Sequence, residues 1–139
     1  MFLAKLLPFP CRIADLGCGE AEISQYLARV DDLTVDNYDL HAKDKTVQVE
    51  DLDYLGSIKD NTYHVSVLCL SLLGKVKRKI NQTYRITRHD GWIFIWHPKS
   101  QREKLARIIA ELKELNMWKE IKYYDFDRFV HYQLQVNKR

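Results

Sequence analysis

No apolar run in this sequence approaches the roughly 20 residues that span a bilayer, so no membrane helix is expected. The opening stretch MFLAKLLPFP is apolar but short. It carries one lysine and no small-residue cleavage site, so it does not read as a secretory signal. Cysteine is scarce: Cys11, Cys18 and Cys69 are odd in number and match no zinc spacing. They read as reduced, small, buried residues of an intracellular protein. Charge of one sign is not in excess either. The 22 Lys and Arg against 19 Asp and Glu leave a formal +3, which permits a nucleic-acid partner without demanding one. There is no repeat, linker or low-complexity segment. The 139 residues therefore read as one domain over 1–139, with a short lead-in over 1–11. No Ser-His-Asp or metal-ligand set is visible, and no metal is expected.

What is present is a chain that is 46% hydrophobic and 12% aromatic, enough for a core. Arg12 to Asp15 predicts a short strand, and Glu20 to Val30 a helix with Ile23, Tyr26, Leu27 and Val30 facing inward. LTVDNYDL predicts a second strand ending at Asp39, and Thr46 to Glu50 a third. The run Val65 to Leu70 suits a central strand covered on both faces. GKVKRKINQTYRIT predicts a helix, and WIFIW after Asp90-Gly91 a strand. Ser100 and Glu103 form an S-x-x-E box at the start of a helix to about Asn116, with Leu105, Ile108, Ile109, Leu112 and Leu115 as its stripe. WKEIKYYDF and RFVHYQLQV predict two further strands in an antiparallel hairpin at a sheet edge. The alternation predicts an α/β fold: a Rossmann-like, doubly wound, mostly parallel sheet with an antiparallel C-terminal edge hairpin.

Gly17 and Gly19 lie just after the first strand, where such sheets bind ligands. Asp39 follows Gly19 by 20 positions at the end of the second strand, a spacing that suits hydrogen bonds from ribose hydroxyls. The dinucleotide fingerprint is incomplete, because Glu22 stands where a third glycine belongs. An acidic residue there repels a pyrophosphate, so an adenosine ligand without phosphates fits better. That points to S-adenosylmethionine rather than NAD.

ADLGCG at Ala14 to Gly19, YDL at Tyr38 to Leu40, EDLDYL at Glu50 to Leu55 and above all VLCLSLLG at Val67 to Gly74 carry a resemblance. The chain resembles class I methyltransferases, and within them the ribosomal RNA-processing protein eight (nucleomethylin) family. The resemblance implies a class I methyltransferase fold. It also implies S-adenosyl-L-methionine as cofactor and S-adenosyl-L-homocysteine as product, methylation of the N1 position of an adenine in ribosomal RNA, and a nuclear or nucleolar location in a eukaryote, otherwise a cytoplasmic one. By the same resemblance Asp15, Gly17, Cys18 and Gly19 shape the loop around the methionine part of the cofactor. Asp39 holds the ribose, Leu40 packs beside the adenine, and Asp51 and Leu52 meet it. Cys69, Leu70 and Ser71 floor the space between cofactor and substrate; the alternative is that Cys69 and Leu70 are only core and Ser71 only a helix cap. Family members carry a longer segment before the first strand, so a partner protein that completes a lid is a further expectation.

The chemistry agrees with what the sequence lacks. Adenine N1 already carries a lone pair, so orientation matters more than a strong base. The D/N-P-P-Y/F motif of exocyclic amino methylation is absent after the fourth strand, where LSLL stands. His97 ends the fifth strand on the ligand side; substrate contact and a solvated loop histidine are its two readings. Lys75, Lys77, Arg78, Lys79, Arg85 and Arg88 crowd a stretch without an acid between Leu72 and His89. They are the expected RNA contacts, with a solvated helix face as the alternative. Tyr84 and Trp96 either stack on a flipped base or simply pack. Two other functions stay open: methylation of a protein or small molecule, and a cofactor-binding scaffold without catalysis.

Overall fold

A computed structural model describes residues 11–17, 33–41, 45–72 and 74–139. The predicted helix over Glu20 to Val30 lies outside these residues, as do Cys18 and Gly19. Among the described residues, seven strands form one sheet in the order β3-β2-β1-β4-β5-β7-β6. They are β1 (Cys11–Leu16), β2 (Leu33–Asp39), β3 (Val47–Val49), β4 (Tyr63–Cys69), β5 (Thr87–Pro98), β6 (Trp118–Asp125) and β7 (Phe129–Val136). The first five are mutually parallel. The last two form the predicted antiparallel hairpin, with β7 against β5 and β6 at the edge. Helix α1 (Val76–Ile86) joins β4 to β5 and helix α2 (Arg102–Glu114) joins β5 to β6.

Side chains alternate across a strand, and the two faces of the sheet hold separate apolar clusters. Ala14, Leu16, Leu68, Ile93 and Ile95 face Val76 and Ile80 of α1 and Leu105, Ile109 and Leu112 of α2. Cys11, Ile13, Val65, Val67, Trp92 and Phe94 form the opposite cluster. Both faces of the inner strands thus carry apolar residues, which is why the Val65 to Leu70 run at β4 reads as near-continuously hydrophobic.

Several local expectations are corrected. Ser100 does not cap α2. It sits in a 3-10 turn, Lys99–Gln101, and Gln101 precedes the helix without a side-chain cap bond. Leu115 leaves the stripe and is 67% exposed, because the helix ends at Glu114. On α1, Thr83 is buried and Tyr84 only half-buried. Cys11 is buried as expected, but Cys69 is exposed, since it ends β4 where the sheet opens.

Candidate functional site

The strand order reverses at β1: the chain moves outward through β2 and β3, then returns to place β4 on the other side of β1. The loops after these strands diverge at that point and leave a crevice at the carboxyl end of the sheet. A cleft of about 530 Å³ lies there. Its lining combines Gly17 after β1, Asp39, Leu40 and His41 after β2, Asp51, Leu52 and Asp53 after β3, and Leu70 and Ser71 after β4. Four loops far apart in sequence therefore meet at one site.

Backbone geometry fixes the turn after β1. Gly17 has φ of +74°, a left-handed conformation that favours glycine. Its N–H donates to the Tyr38 carbonyl at 2.7 Å, which ties the end of β1 to β2. Any Cβ at Gly17 would collide with Cβ of Ser71 and come within 3.4 Å of Leu52 Cδ1. Ser71 Oγ donates to the Leu16 carbonyl at 2.9 Å, so this hydroxyl fastens β1 to the segment after β4 rather than capping a helix. Leu70 has φ of +57°, is 45% exposed, and donates its N–H to the Trp96 carbonyl. A leucine in that conformation is strained, and here the strained residue borders the cleft.

The carboxylates divide by environment. Asp15, buried at 2% exposure below the Gly17 turn, has its carboxyl pushed up to about 7 by burial, with the nearby Asp39 carboxylate adding to the rise. Asp51 is exposed and accepts from the Asp53 N–H at 2.9 Å, which shapes the turn after β3. Leu55 and Tyr54 donate back to the Asp51 carbonyl. Leu40 is 56% exposed and offers an apolar surface at the rim.

The basic segment does not form one surface. Helix α1 runs from the carboxyl end of the sheet to the amino end, and its cations are distributed along that length. Lys79 turns into the cleft and pairs with Asp53 at 2.7 Å, a pairing invisible before the helix is docked. Lys75 and Arg78 are exposed, and Lys77 pairs with Glu111 of α2 at 3.2 Å. Arg85 lies at the opposite end, donating to the Leu55 and Ile58 carbonyls and to Asp60. Arg88 stands there too, beside His64.

His97 is next to last in β5 and is 1% exposed, which corrects the solvated-loop reading. Burial lowers its pKa below the ordinary histidine range, and its Nδ1 has no hydrogen-bond partner. It does not line the cleft. Tyr84 and Trp96 take the packing role. The Tyr84 hydroxyl donates to the Asn137 carbonyl at 2.6 Å, and Trp96 stacks on His131 with ring centres 3.8 Å apart. His41 and Asp53 line the cleft without any role expected from the sequence, and Lys79, expected at RNA, lines it too. Among the described residues, no three His, Cys, Asp or Glu gather as a metal site, and no helix is long and apolar enough to cross a membrane.

The chain matches the family described as "Hypothetical methyltransferase" over residues 8–139. It belongs to that family of methyltransferases. It is 34% identical over 101 residues to the 25S rRNA (adenine(645)-N(1))-methyltransferase of Schizosaccharomyces pombe, covering 71% of this chain and 31% of the relative. It is 40% identical over 63 residues to ribosomal RNA-processing protein 8 of Dictyostelium discoideum, covering 45% of this chain and 15% of the relative. The chain thus spans less than a third of either curated relative. Among solved structures, an S-adenosylmethionine-dependent methyltransferase from Methanosarcina mazei superimposes with a TM-score of 0.71 at 13% identity, over 99% of this chain and 98% of that one. One from Aquifex aeolicus does so with 0.71 at 12% identity, over 97% and 87%. At such identities the likeness speaks for the fold, which is the class I methyltransferase fold that the sequence predicts.

Proposed function

We propose that this chain is an S-adenosylmethionine-dependent methyltransferase acting on the N1 position of an adenine in ribosomal RNA. The observation that carries the cofactor half is the cleft at the switch point, where Asp39 and Asp51 stand among Leu40, Leu52 and Leu70 around the Gly17 turn. That lining fits an adenosine: carboxylates to accept from ribose hydroxyls and an amino group, and apolar walls for a ring. The substrate half is supported by the printed activity of the Schizosaccharomyces pombe relative. In a eukaryote such a substrate implies the nucleolus.

The cofactor, when bound, supplies an activated methyl group with its own leaving group. The chain's residues bind and orient. Gly17 would keep the first turn open to close approach. Asp39 would accept from the ribose hydroxyls and Asp51 from the adenine amino group, while Leu40 and Leu52 pack against the ring. Asp15, beneath the turn, would place negative charge near the methionine portion. Leu70 and Ser71 would shape the wall toward the substrate and exclude water there. None of these residues need remove a proton, because adenine N1 is already nucleophilic.

Calorimetric titration with S-adenosylmethionine, S-adenosylhomocysteine and NAD tests the reading. The first two are expected to bind and to raise the melting temperature, as any ligand selective for the native state does. Asp39→Ala should weaken binding by about 1–3 kcal/mol, the loss of a charge-assisted hydrogen bond, with the fold intact. NAD binding without a response to S-adenosylhomocysteine would overturn the assignment.

A further inference from the structure

The pairing of Pro98 with Phe129 brings the turn between β6 and β7 to the carboxyl end of the sheet, the end that holds the cofactor cleft. Strands lie about 4.8 Å apart, and β7 is two strands from β4. The turn therefore stands on the order of 10 Å from the exit of β4 beside the cleft. It carries rings that the fold does not bury. Phe126 is 51% exposed, Phe129 39% and Tyr124 41%. Large apolar groups clustered on an exposed tip mark a contact surface.

The tip is held rigidly. The Phe126 N–H donates to the Phe129 carbonyl at 2.8 Å, and the Lys99 N–H to the Arg128 carbonyl at 3.0 Å. Lys99 Nζ pairs with Asp125 at 2.7 Å and also reaches the Phe126 carbonyl. Below the tip, His131 lies stacked between Trp96 and Tyr124, a row of rings in register across β5, β7 and β6. The exposed rings are thus presented by an ordered backbone, which lowers the entropy lost on binding.

Cations flank the rings. Arg128 is exposed in the turn itself. A shallow groove of about 440 Å³ at the start of α2 is lined by Ser100, Gln101, Glu103, Lys104 and Arg107. Lys99, Arg102, Lys104, Arg107 and Arg128 give five cations against the three carboxylates of Glu103, Asp125 and Asp127. Asp125 is occupied by Lys99 and Arg102. Exposed rings interleaved with cations are the chemistry of a single-stranded nucleic-acid platform: unpaired bases stack on the rings and phosphates meet the cations.

We propose that the tip of the β6–β7 hairpin, with the first turns of α2 beside it, is the surface on which single-stranded RNA lies as its target base enters the cleft. This rests on the methyltransferase reading for its substrate class. It moves the RNA contact away from α1, whose cations are split between two ends of the sheet.

The test uses the whole 139-residue chain and a fluorescent single-stranded RNA of roughly 12 nucleotides, within the range of such sites. The double variant Phe126→Ala, Phe129→Ala should bind it about tenfold or more weakly. Lys104→Gln with Arg107→Gln should reduce the slope of log affinity against log salt by about one to two. Neither pair should alter S-adenosylhomocysteine affinity or melting temperature. Unchanged RNA affinity in the ring variant, equal binding of an RNA duplex, or no RNA binding by the unmodified chain overturns the proposal. S-adenosylhomocysteine titration of the same samples separates the two readings. If it binds normally while the ring variant keeps full RNA affinity, only the platform fails. If RNA binding depends on the tip but the ligand does not bind, the platform stands and the cofactor assignment fails.

Discussion

The two ends of the sheet solve opposite problems with the same helix. At the amino end, a second cleft of about 510 Å³ is lined by Asp60, Asn61, Tyr84, Arg85, Asn137 and Lys138, among others. Its polar groups are largely occupied by one another. Arg85 serves two carbonyls and Asp60, Lys138 serves Asn61 and the Arg85 carbonyl, and the Tyr84 hydroxyl serves Asn137. Asn61 and Asn116, which line this cleft, are left-handed and of a type that tolerates that conformation at little cost; Leu55, whose carbonyl Arg85 holds, is left-handed too at φ +46°. At the carboxyl end, the left-handed residues beside the cleft are Gly17 and Leu70. Exposed leucines stand there beside exposed or half-exposed carboxylates. The amino-end cleft is laced by bonds among its own side chains, with Leu115 exposed beside it, whereas the carboxyl-end cleft gathers Asp39, Asp51, Leu40 and Leu70 from three strand ends around the Gly17 turn. Volume alone does not distinguish them; the strand ends that line them do.

The most damaging break falls at the carboxyl end. Gly17→Val should destabilise the chain by about 3–5 kcal/mol, adding left-handed strain for a branched residue to overlap with Ser71. Cofactor binding should disappear with it. Denaturant unfolding with a ligand titration measures both.

Next comes the buried carboxylate at that end. Asp15 has an ordinary value of 3.8 when unfolded and about 7 in the fold. Between these pH values the native state holds the proton that the unfolded state has lost. Stability contributed by this group is therefore full below about pH 4 and declines as pH rises toward 7. Asp15→Asn should remove that decline and stabilise the chain at pH 8 by up to about 4 kcal/mol, read as the difference between two stability-against-pH curves. It should also weaken the ligand, because the lost charge lies under the site. Identical curves for the two proteins would remove Asp15 from the account.

The amino end should behave as structure only. Arg85→Met strands the Leu55 and Ile58 carbonyls and should cost about 2–3 kcal/mol of stability. Ligand affinity in the surviving native protein should fall far less than in Asp39→Ala. A variant that keeps its stability but loses ligand would reverse the contrast between the two ends.

The smallest effect sharpens the contrast. Leu70→Gly relieves the left-handed strain but adds backbone freedom to the unfolded chain, so stability should change by less than about 1 kcal/mol. Methyl transfer should nonetheless slow, because the wall facing the substrate is lost. A large stability loss would make Leu70 an ordinary structural residue.

Much of this was legible because the signals were local. The β4 run is buried on both faces, so its apolar sequence announces a central strand. The hairpin announces itself by two β-rich stretches around a short turn. The positions of Gly17, Asp39 and Asp51 follow once strand ends are known, since a parallel sheet brings all those ends to one side. What was not legible depends on docking. The direction of α1 decides that Lys79 reaches Asp53 while Arg85 serves the far end, and no spacing in the sequence reports that direction. His97 has two readings from its sequence, substrate contact or a solvated loop, and its burial to 1% exposure inside β5 rules out the loop. Ser100 and Glu103 have the spacing of a capping box, but the 3-10 turn shifts the helix start past the serine.

On the proposed function, the carboxyl-end cleft, and not the amino-end one, receives S-adenosylhomocysteine. Amide chemical-shift mapping during a titration with that ligand tests it most directly. Shifts are expected at Gly17, Asp39 to His41, Asp51 to Asp53 and Leu70 to Ser71, with Asn61, Arg85 and Lys138 unmoved. Shifts centred on Asn61, Arg85 and Lys138, with the Gly17 turn silent, would contradict it.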